Sequence, residues 1–173
     1  MKLTSEFFAR VGTQVAKDLI GTYLVRAYPD GKTSRRQITE TEGYLGEKDS
    51  ASHARVGKTE RTKVMYKKPG TLYVYLIYGI HDMLNIVTKE AGEPEAVLIR
   101  GINGLDGPGI LTRELDITKA KQNGKPLGED SGLWIEARAD GFDADRIVAK
   151  PRVGIDYADE YWRNQPLNFS YQA

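Results

Sequence analysis

Apolar residues recur near the helical period at Phe7, Phe8, Val11, Val15, Leu19 and Ile20, which predicts helix over residues 5–20. Gly21 is placed to end it, and Gly12 is a point where it splits into two shorter helices. The pattern then changes to alternation and β-branching over Thr22 to Tyr28, with Pro29-Asp30-Gly31-Lys32 as a turn and a second extended run from Ser34 to Tyr44. These make a hairpin. Periodicity is lost from Leu45 to Lys68, a long polar loop of the kind that is functional or disordered. Three further runs, 71–78, 81–88 and 95–102, are spaced by short turns and predict an antiparallel meander. Gly107-Pro108-Gly109 opens a short helix over Ile110 to Leu115, and Lys119 to Asp130 reads as a polar loop. Short strands at Leu133 to Ala137, Arg146 to Ile155 and Leu167 to Tyr171 complete the sheet.

The run Thr71-Leu72-Tyr73-Val74-Tyr75-Leu76-Ile77-Tyr78, closed by Gly79, is the most distinctive stretch. A period of two puts Tyr73 and Tyr75 on one face and Leu72, Val74 and Leu76 on the other. Tyr78 falls at the turn and projects from it. By itself the run reads as a core strand with hydroxyls at its edges. The hairpin strand that ends Glu40-Thr41-Glu42-Gly43-Tyr44 places two carboxylates on one face where it leaves the sheet.

Composition narrows the choices. The 173 residues suit one domain with its own core, and the chain contains no cysteine, which excludes disulfides and thiolate metal sites. No stretch approaches the length of a membrane span, so a cytoplasmic protein without membrane association is expected. A formal net charge of +1 announces no partner, but Arg55, Lys58, Arg61, Lys63, Lys67 and Lys68 crowd the segment before the tyrosine run, opposed there by Glu60. A basic edge therefore adjoins the aromatic strand.

The two histidines, His53 and His81, lie far apart with no metal-ligand spacing, and the glycine-rich stretches lack the phosphate-loop lysine. No metal or nucleotide cofactor is expected, and a serine nucleophile elbow is missing. Glu40 and Glu42 are the chemical candidates that remain. A carboxylate at a strand end beside a histidine loop and a tyrosine face suits a general base that activates water. Flat side chains suit a planar substrate: stacking a nucleobase contributes roughly 1–3 kcal/mol, which helps offset its removal from a duplex.

Glu40-Thr41-Glu42-Gly43-Tyr44-Leu45-Gly46, Ala51-Ser52-His53, Met65, the stretch from Lys68 through Gly79, Leu84-Asn85-Ile86, Val97-Leu98-Ile99-Arg100, Gly107-Pro108-Gly109 and the C-terminal Pro151-Arg152-Val153-Gly154-Ile155 and Pro166-Leu167-Asn168-Phe169 stand in a fixed order. Together they resemble the alkyladenine (3-methyladenine) DNA glycosylase family over nearly the whole chain. The resemblance implies that Glu42 deprotonates a water that attacks the anomeric carbon of a flipped nucleotide, with Arg100 holding the water and a nearby phosphate. It implies that Tyr44, His53 and Tyr75 are aromatic walls around the base and that the main chain at Ala51 and His53 reads its edge. Asn85 would crowd a purine 2-amino group, and Tyr78 would fill the gap left in the duplex, with Arg61, Met65 and Lys68 also on the DNA side. Glu40 would be a structural or solvent-facing carboxylate and Tyr73 a packing residue.

The implied activity is hydrolysis of the N-glycosidic bond of 3-methyladenine in double-stranded DNA, with 7-methylguanine, hypoxanthine and ethenoadenine as further candidate lesions. Alkylation puts positive charge on the purine, which strengthens stacking on aromatic faces and makes a better leaving group. No lysine matches a nucleophile position, so an abasic site would be left and the strand not cut. The alternative is a non-catalytic module that binds damaged DNA. Three positions depart from the family pattern: Thr59-Glu60-Arg61-Thr62, Gly43 and Asp82. The expected fold is α+β, one domain over residues 1–173 with a mixed, mainly antiparallel curved sheet and short flanking helices, acting as a monomer in the bacterial nucleoid or, in a eukaryote, the nucleus.

Overall fold

The computed structural model describes residues 1–172. The predicted N-terminal helix is two helices, α1 (Ser5–Phe8) and α2 (Gly12–Leu19), broken where Gly12 was expected to interrupt it. The α2 helix buries Val15, Ala16 and Leu19 against the sheet, and its first amide, Gly12 N, donates to the buried Glu95 Oε2 at 2.7 Å. A helix this short owes its stability to packing rather than propensity.

The hairpin forms as expected from β1 (Tyr23–Ala27) and β2 (Thr33–Leu45), and the meander from β3 (Leu72–Ile77), β4 (His81–Thr88) and β5 (Glu95–Ile102). A short β6 (Leu105–Asp106) folds back on β5, and β7 (Leu133–Glu136), β8 (Ile147–Lys150) and β9 (Asn168–Tyr171) complete a curved nine-stranded sheet. Its main path runs β3-β4-β5-β2-β1-β7, with β9 also pairing β2 and β8 pairing β9. Every strand pairing among the described residues is antiparallel. The helices α3 (Pro108–Glu114), α4 (Lys119–Gln122) and α5 (Glu160–Asn164) lie beyond the meander in sequence. Together with the sheet they make the expected α+β fold.

The 13-residue β2 organises the sheet. Its first half pairs with β1 and its second half lies between β5 and β9. Between the halves the ladder with β5 slips twice: Ile38 faces Ile102, Glu40 faces Gly101 and Thr41 faces Ile99. Thr39 is thus the extra residue on β2 and Arg100 the extra residue on β5, two offsetting irregularities one step apart. Such bulges re-aim side chains locally.

Two sequence expectations change. The loop predicted over 119–130 begins with α4, because Thr118 caps it by accepting from Lys121 N at 3.2 Å. The strand predicted over 146–155 is only Ile147–Lys150; after Pro151 the chain leaves the sheet to bring Arg152 and Val153 under the site. The unforeseen α5 is capped by Asp159, whose Oδ1 accepts from Trp162 N at 3.1 Å. Among the described residues no helix is long and apolar enough to cross a membrane.

The sheet carries different clusters on its two faces. Leu72, Val74, Leu84, Ile86, Val97 and Ile99 join α2 and α3 in the main core. Tyr73, Met65, Val87 and Ala96, with Tyr75 packed against them, form a second cluster on the other face. The alternation predicted for the tyrosine strand holds, except that Leu76 emerges 43% exposed where the hairpin leaves the core.

Candidate active site

The second face holds a small cavity of about 40 Å³. Ala51, Ser52, Met65 and Ala96, each at most 2% exposed, line its inner part. Tyr44, His53, Tyr75 and Tyr157 line both this cavity and a wider outer cleft that reaches Arg61, Tyr78 and Arg100. An enclosed pocket thus opens into a basic, aromatic vestibule.

One wall is continuous. The His53 ring meets Tyr75 edge-on with centroids 4.4 Å apart, Tyr75 lies 5.4 Å from Tyr73, and His53 Nδ1 is hydrogen-bonded to the Tyr73 hydroxyl at 3.0 Å. Tyr73, read from the sequence as packing only, therefore belongs to the site: it lines the cavity and fixes the His53 ring. Burial, reinforced by the Arg61 and Arg55 charges, pushes the His53 pKa down to about 4. The imidazole in this wall is neutral at physiological pH.

Tyr44 faces the cavity from a different support, with the Arg152 guanidinium 4.7 Å from its ring centroid. Arg152 and Asp49 are both fully buried and bidentately paired at 2.6 and 2.9 Å. Asp49 also accepts from Leu45 N at 2.9 Å and Ala51 N at 3.0 Å, and Arg152 donates to Gly43 O at 3.0 Å. One ion pair thus ties the end of β2, the loop after it and the C-terminal segment together. The loop predicted from Leu45 to Lys68 is built of three 3-10 turns, Gly46–Lys48, His53–Val56 and Thr62–Tyr66.

Beneath the vestibule Glu42 is fully buried, between β5 and β9. Its Oε2 accepts from Val153 N at 2.7 Å and Asn168 Nδ2 at 2.9 Å, with Arg100 Nε at 3.8 Å. Oε1 accepts from the Tyr44 hydroxyl at 3.0 Å. These are all donors, which suits an ionised carboxylate. The two oxygens differ: Oε2 is crowded, and Oε1 holds a single neighbour and spare acceptor capacity. Burial pushes the Tyr44 pKa well up, with the Glu42 charge adding to it, so Tyr44 stays a donor.

Glu40 is not an idle surface acid. Its Oε1 accepts from Asn168 Nδ2 at 2.8 Å and Arg100 Nε at 3.3 Å, so one amide and one guanidinium bridge both carboxylates. The bulged position of Arg100 is what brings its side chain to both acids. Asn168 had no assigned role from sequence; only its quoted place in the C-terminal motif pointed to it.

The remaining expected residues divide. Tyr78 is 88% exposed at the tip of the β3–β4 turn, where Ile80 N donates to Ile77 O and both Tyr78 (φ 53°) and Gly79 (φ 70°) are left-handed. Lys68 is exposed, and Arg61 is exposed with its guanidinium 5.3 Å from the Tyr75 ring at the vestibule rim. Met65 is placed differently from expectation: at 2% exposure it lines the cavity and cannot face a DNA surface. The Ala51 main chain is also less available than expected, because its N–H is held by Asp49 and its carbonyl accepts from the Tyr157 hydroxyl at 2.6 Å. Asn85, 4% exposed, lines the cavity with its amide fixed to Tyr73 O at 3.1 Å and Met83 O at 3.3 Å. Of the three unusual positions, Glu60 pairs with Lys63 at 2.6 Å, and Asp82 Oδ1 accepts from Lys119 N at 2.8 Å at the start of α4. Gly43 has ordinary backbone and lies over Gly12.

The site thus combines an aromatic pocket, a buried carboxylate with ordered donors and a projecting aromatic on a basic rim. A family model described as methylpurine-DNA glycosylase matches residues 6–107 and 103–173. A protein of Anaeromyxobacter sp. strain Fw109-5 is 42% identical, covering 100% of this chain and 90% of its own length. A protein of Methanocella arvoryzae is 41% identical over 91% of this chain and 86% of its own, and one of Natranaerobius thermophilus 41% identical over 94% of each. All three are provisionally named 3-methyladenine DNA glycosylases. The chain belongs to the methylpurine-DNA glycosylase family, a family of DNA-repair hydrolases.

Proposed function

We propose that this chain releases 3-methyladenine and related alkylated purines from double-stranded DNA, taking the nucleotide out of the helix and hydrolysing its N-glycosidic bond with a water activated by Glu42. The observation that carries the reading is the unequal hydrogen bonding of the two Glu42 oxygens. Oε2 is anchored by Val153, Asn168 and Arg100, while Oε1 has only the Tyr44 hydroxyl and can accept a proton from water. The carboxylate would likewise stabilise positive charge building on the sugar as the base departs.

The pocket suits a cationic purine. A base between Tyr44 and the His53–Tyr75 wall meets electron-rich faces and a neutral imidazole, so nothing in the wall itself repels its charge. His53 opens a 3-10 turn, a position whose N–H has no carbonyl within the turn to serve, which suits it to read a base edge. Asn85, pinned by two backbone carbonyls, would keep its bulk against a 2-amino group. Tyr78, held out on a tight turn, would fill the space vacated in the duplex, and Arg61 and Lys68 would meet phosphates.

The test is release of free base from alkylated duplex DNA with no metal or nucleotide added. Wild type should release 3-methyladenine and leave an unbroken abasic strand; Glu42→Gln should bind lesion DNA and release nothing. Glutamine fits the site, since its carbonyl can take the Val153 and Asn168 donors. Unchanged release by Glu42→Gln defeats the catalytic assignment, and binding without release by wild type favours a damage-binding module.

A further inference from the structure

Tyr157 lines the site but has no role in the proposed chemistry. Its ring is 59% exposed, yet it lines both the inner cavity and the outer cleft, and its hydroxyl donates to the Ala51 carbonyl at 2.6 Å. Among the other pocket hydroxyls, Tyr44 donates to Glu42, Tyr73 is hydrogen-bonded to His53, and Ser52 Oγ accepts from Ala54 N. Tyr157 is tied instead to a neutral carbonyl that retains a second lone pair, and it stands where an incoming base must pass.

Its segment is well held. Ile155 and Ala158 pack with Ala51 in a small buried cluster, Ala158 N donates to Ile155 O at 2.9 Å, and Asp159 N donates to Ser50 Oγ at 3.1 Å. The Arg55 guanidinium lies 5.3 Å from the Tyr157 ring centroid on the outer side. Backbone and ring are fixed while the hydroxyl hydrogen is free to rotate.

We infer that Tyr157 is a specificity-determining residue that lets one pocket accept purines with either an amino or an oxo group on the edge facing Ala51. This rests on the proposed base-releasing activity. With a 6-amino purine, the Tyr157 hydroxyl keeps its bond to Ala51 O, and the base amino group donates to the remaining lone pair of that carbonyl or to Tyr157 Oη. With a 6-oxo purine, the carbonyl of Ala51 and the oxygen of the base are both acceptors and repel. The Tyr157 hydroxyl then turns to donate to the base. Without that hydroxyl the Ala51 side of the edge offers only its carbonyl acceptor, which the His53 N–H beside it does not cancel, and a site holding an unmatched polar group discriminates strongly.

The experiment measures single-turnover release of 3-methyladenine and of hypoxanthine from duplexes of otherwise suitable sequence, by wild type and Tyr157→Phe. Release of 3-methyladenine by wild type is scored first; its absence defeats the base-releasing reading itself and is distinct from any effect of the substitution. Given release of both bases by wild type, Tyr157→Phe should lower hypoxanthine release tenfold or more relative to 3-methyladenine release. Because the readout is a ratio of two lesions acted on by one preparation, partial unfolding does not mimic it. An unchanged ratio, whether both rates fall together or neither moves, overturns the proposal, as does a wild type that releases 3-methyladenine but no hypoxanthine.

Discussion

The Tyr44 hydroxyl donates to Glu42 Oε1 at 3.0 Å, so a wall of the cavity and the buried carboxylate form one hydrogen-bonded unit. Whatever tilts the Tyr44 ring also moves the Glu42 oxygen that holds the fewest donors. Tyr44→Phe keeps the flat surface over Arg152 and removes the bond. Release of 3-methyladenine should fall about tenfold, the scale of one charge-assisted hydrogen bond, with lesion-DNA affinity within about twofold of wild type. Single-turnover kinetics and a binding isotherm separate the effects; no loss in either shows that the hydroxyl is idle and the ring alone contributes, and equal loss in both shows that the hydroxyl serves binding rather than the chemical step.

Tyr78 occupies a left-handed conformation that costs a non-glycine residue roughly 1–2 kcal/mol. Such strain persists where a side chain is needed. Tyr78→Gly should therefore raise the melting temperature by a few degrees and lower lesion-DNA affinity and release rate together. A variant that is more stable and equally active removes the wedge role.

The His53 pKa is lowered to about 4 from an ordinary 6.5, so between those values the unfolded chain binds more protons than the folded one. This contribution is fully present above about pH 6.5 and is lost as pH falls toward 4. An NMR titration of the His53 ring should show a midpoint near 4, and the slope of stability against pH in that window should diminish in His53→Gln. Release of cationic bases should not lose this wall near pH 6; a midpoint there overturns the assignment of a neutral ring.

Gly101 and Gly43 lie on adjoining strands but should respond oppositely to alanine. A Cβ on Gly101 meets Thr39 Oγ1 at 3.0 Å and Glu40 Cβ at 3.3 Å, right at the double bulge. Gly101→Ala should cost about 1–3 kcal/mol and reduce activity by moving Glu40 and Arg100. A Cβ on Gly43 comes no nearer than 3.4 Å, to Gly12 O, and the backbone there is ordinary. Gly43→Ala should be neutral or add up to about 1 kcal/mol, through reduced freedom of the unfolded chain. Denaturant melts of both variants check this.

The parts of the fold legible in the sequence are those written in local periodicity. The hairpin, the meander and the split at Gly12 follow from patterns of two and 3.6 and from turn residues. The two faces of the tyrosine strand follow in the same way, although Tyr73 was assigned too little. Glu42, Tyr44, His53 and Tyr75 came from motif resemblance and meet at one cavity and its floor. What escaped depends on separation along the chain. Asp49 and Arg152 stand 103 positions apart, Glu42 and Asn168 126 apart, and nothing near either partner announces the other. The double bulge is equally silent, because a register slip is a property of two strands. The α5 helix did carry a local signal in Asp159, but five residues are too few for periodicity to speak.

The groups that complete the site arrive late. Val153, Asn168, Arg152 and Tyr157 support Glu42, Tyr44 and Ala51 from more than a hundred positions downstream. During synthesis Glu42 has Tyr44 and Arg100 at hand but must wait for Val153 N and Asn168 Nδ2 until residues 152–168 have been made. A nascent chain stopped near residue 150 holds the hairpin and the meander but lacks Arg152, Val153, Tyr157 and Asn168, the partners of Asp49, Glu42 and Ala51. The enzyme is therefore unarmed until its fold is nearly finished.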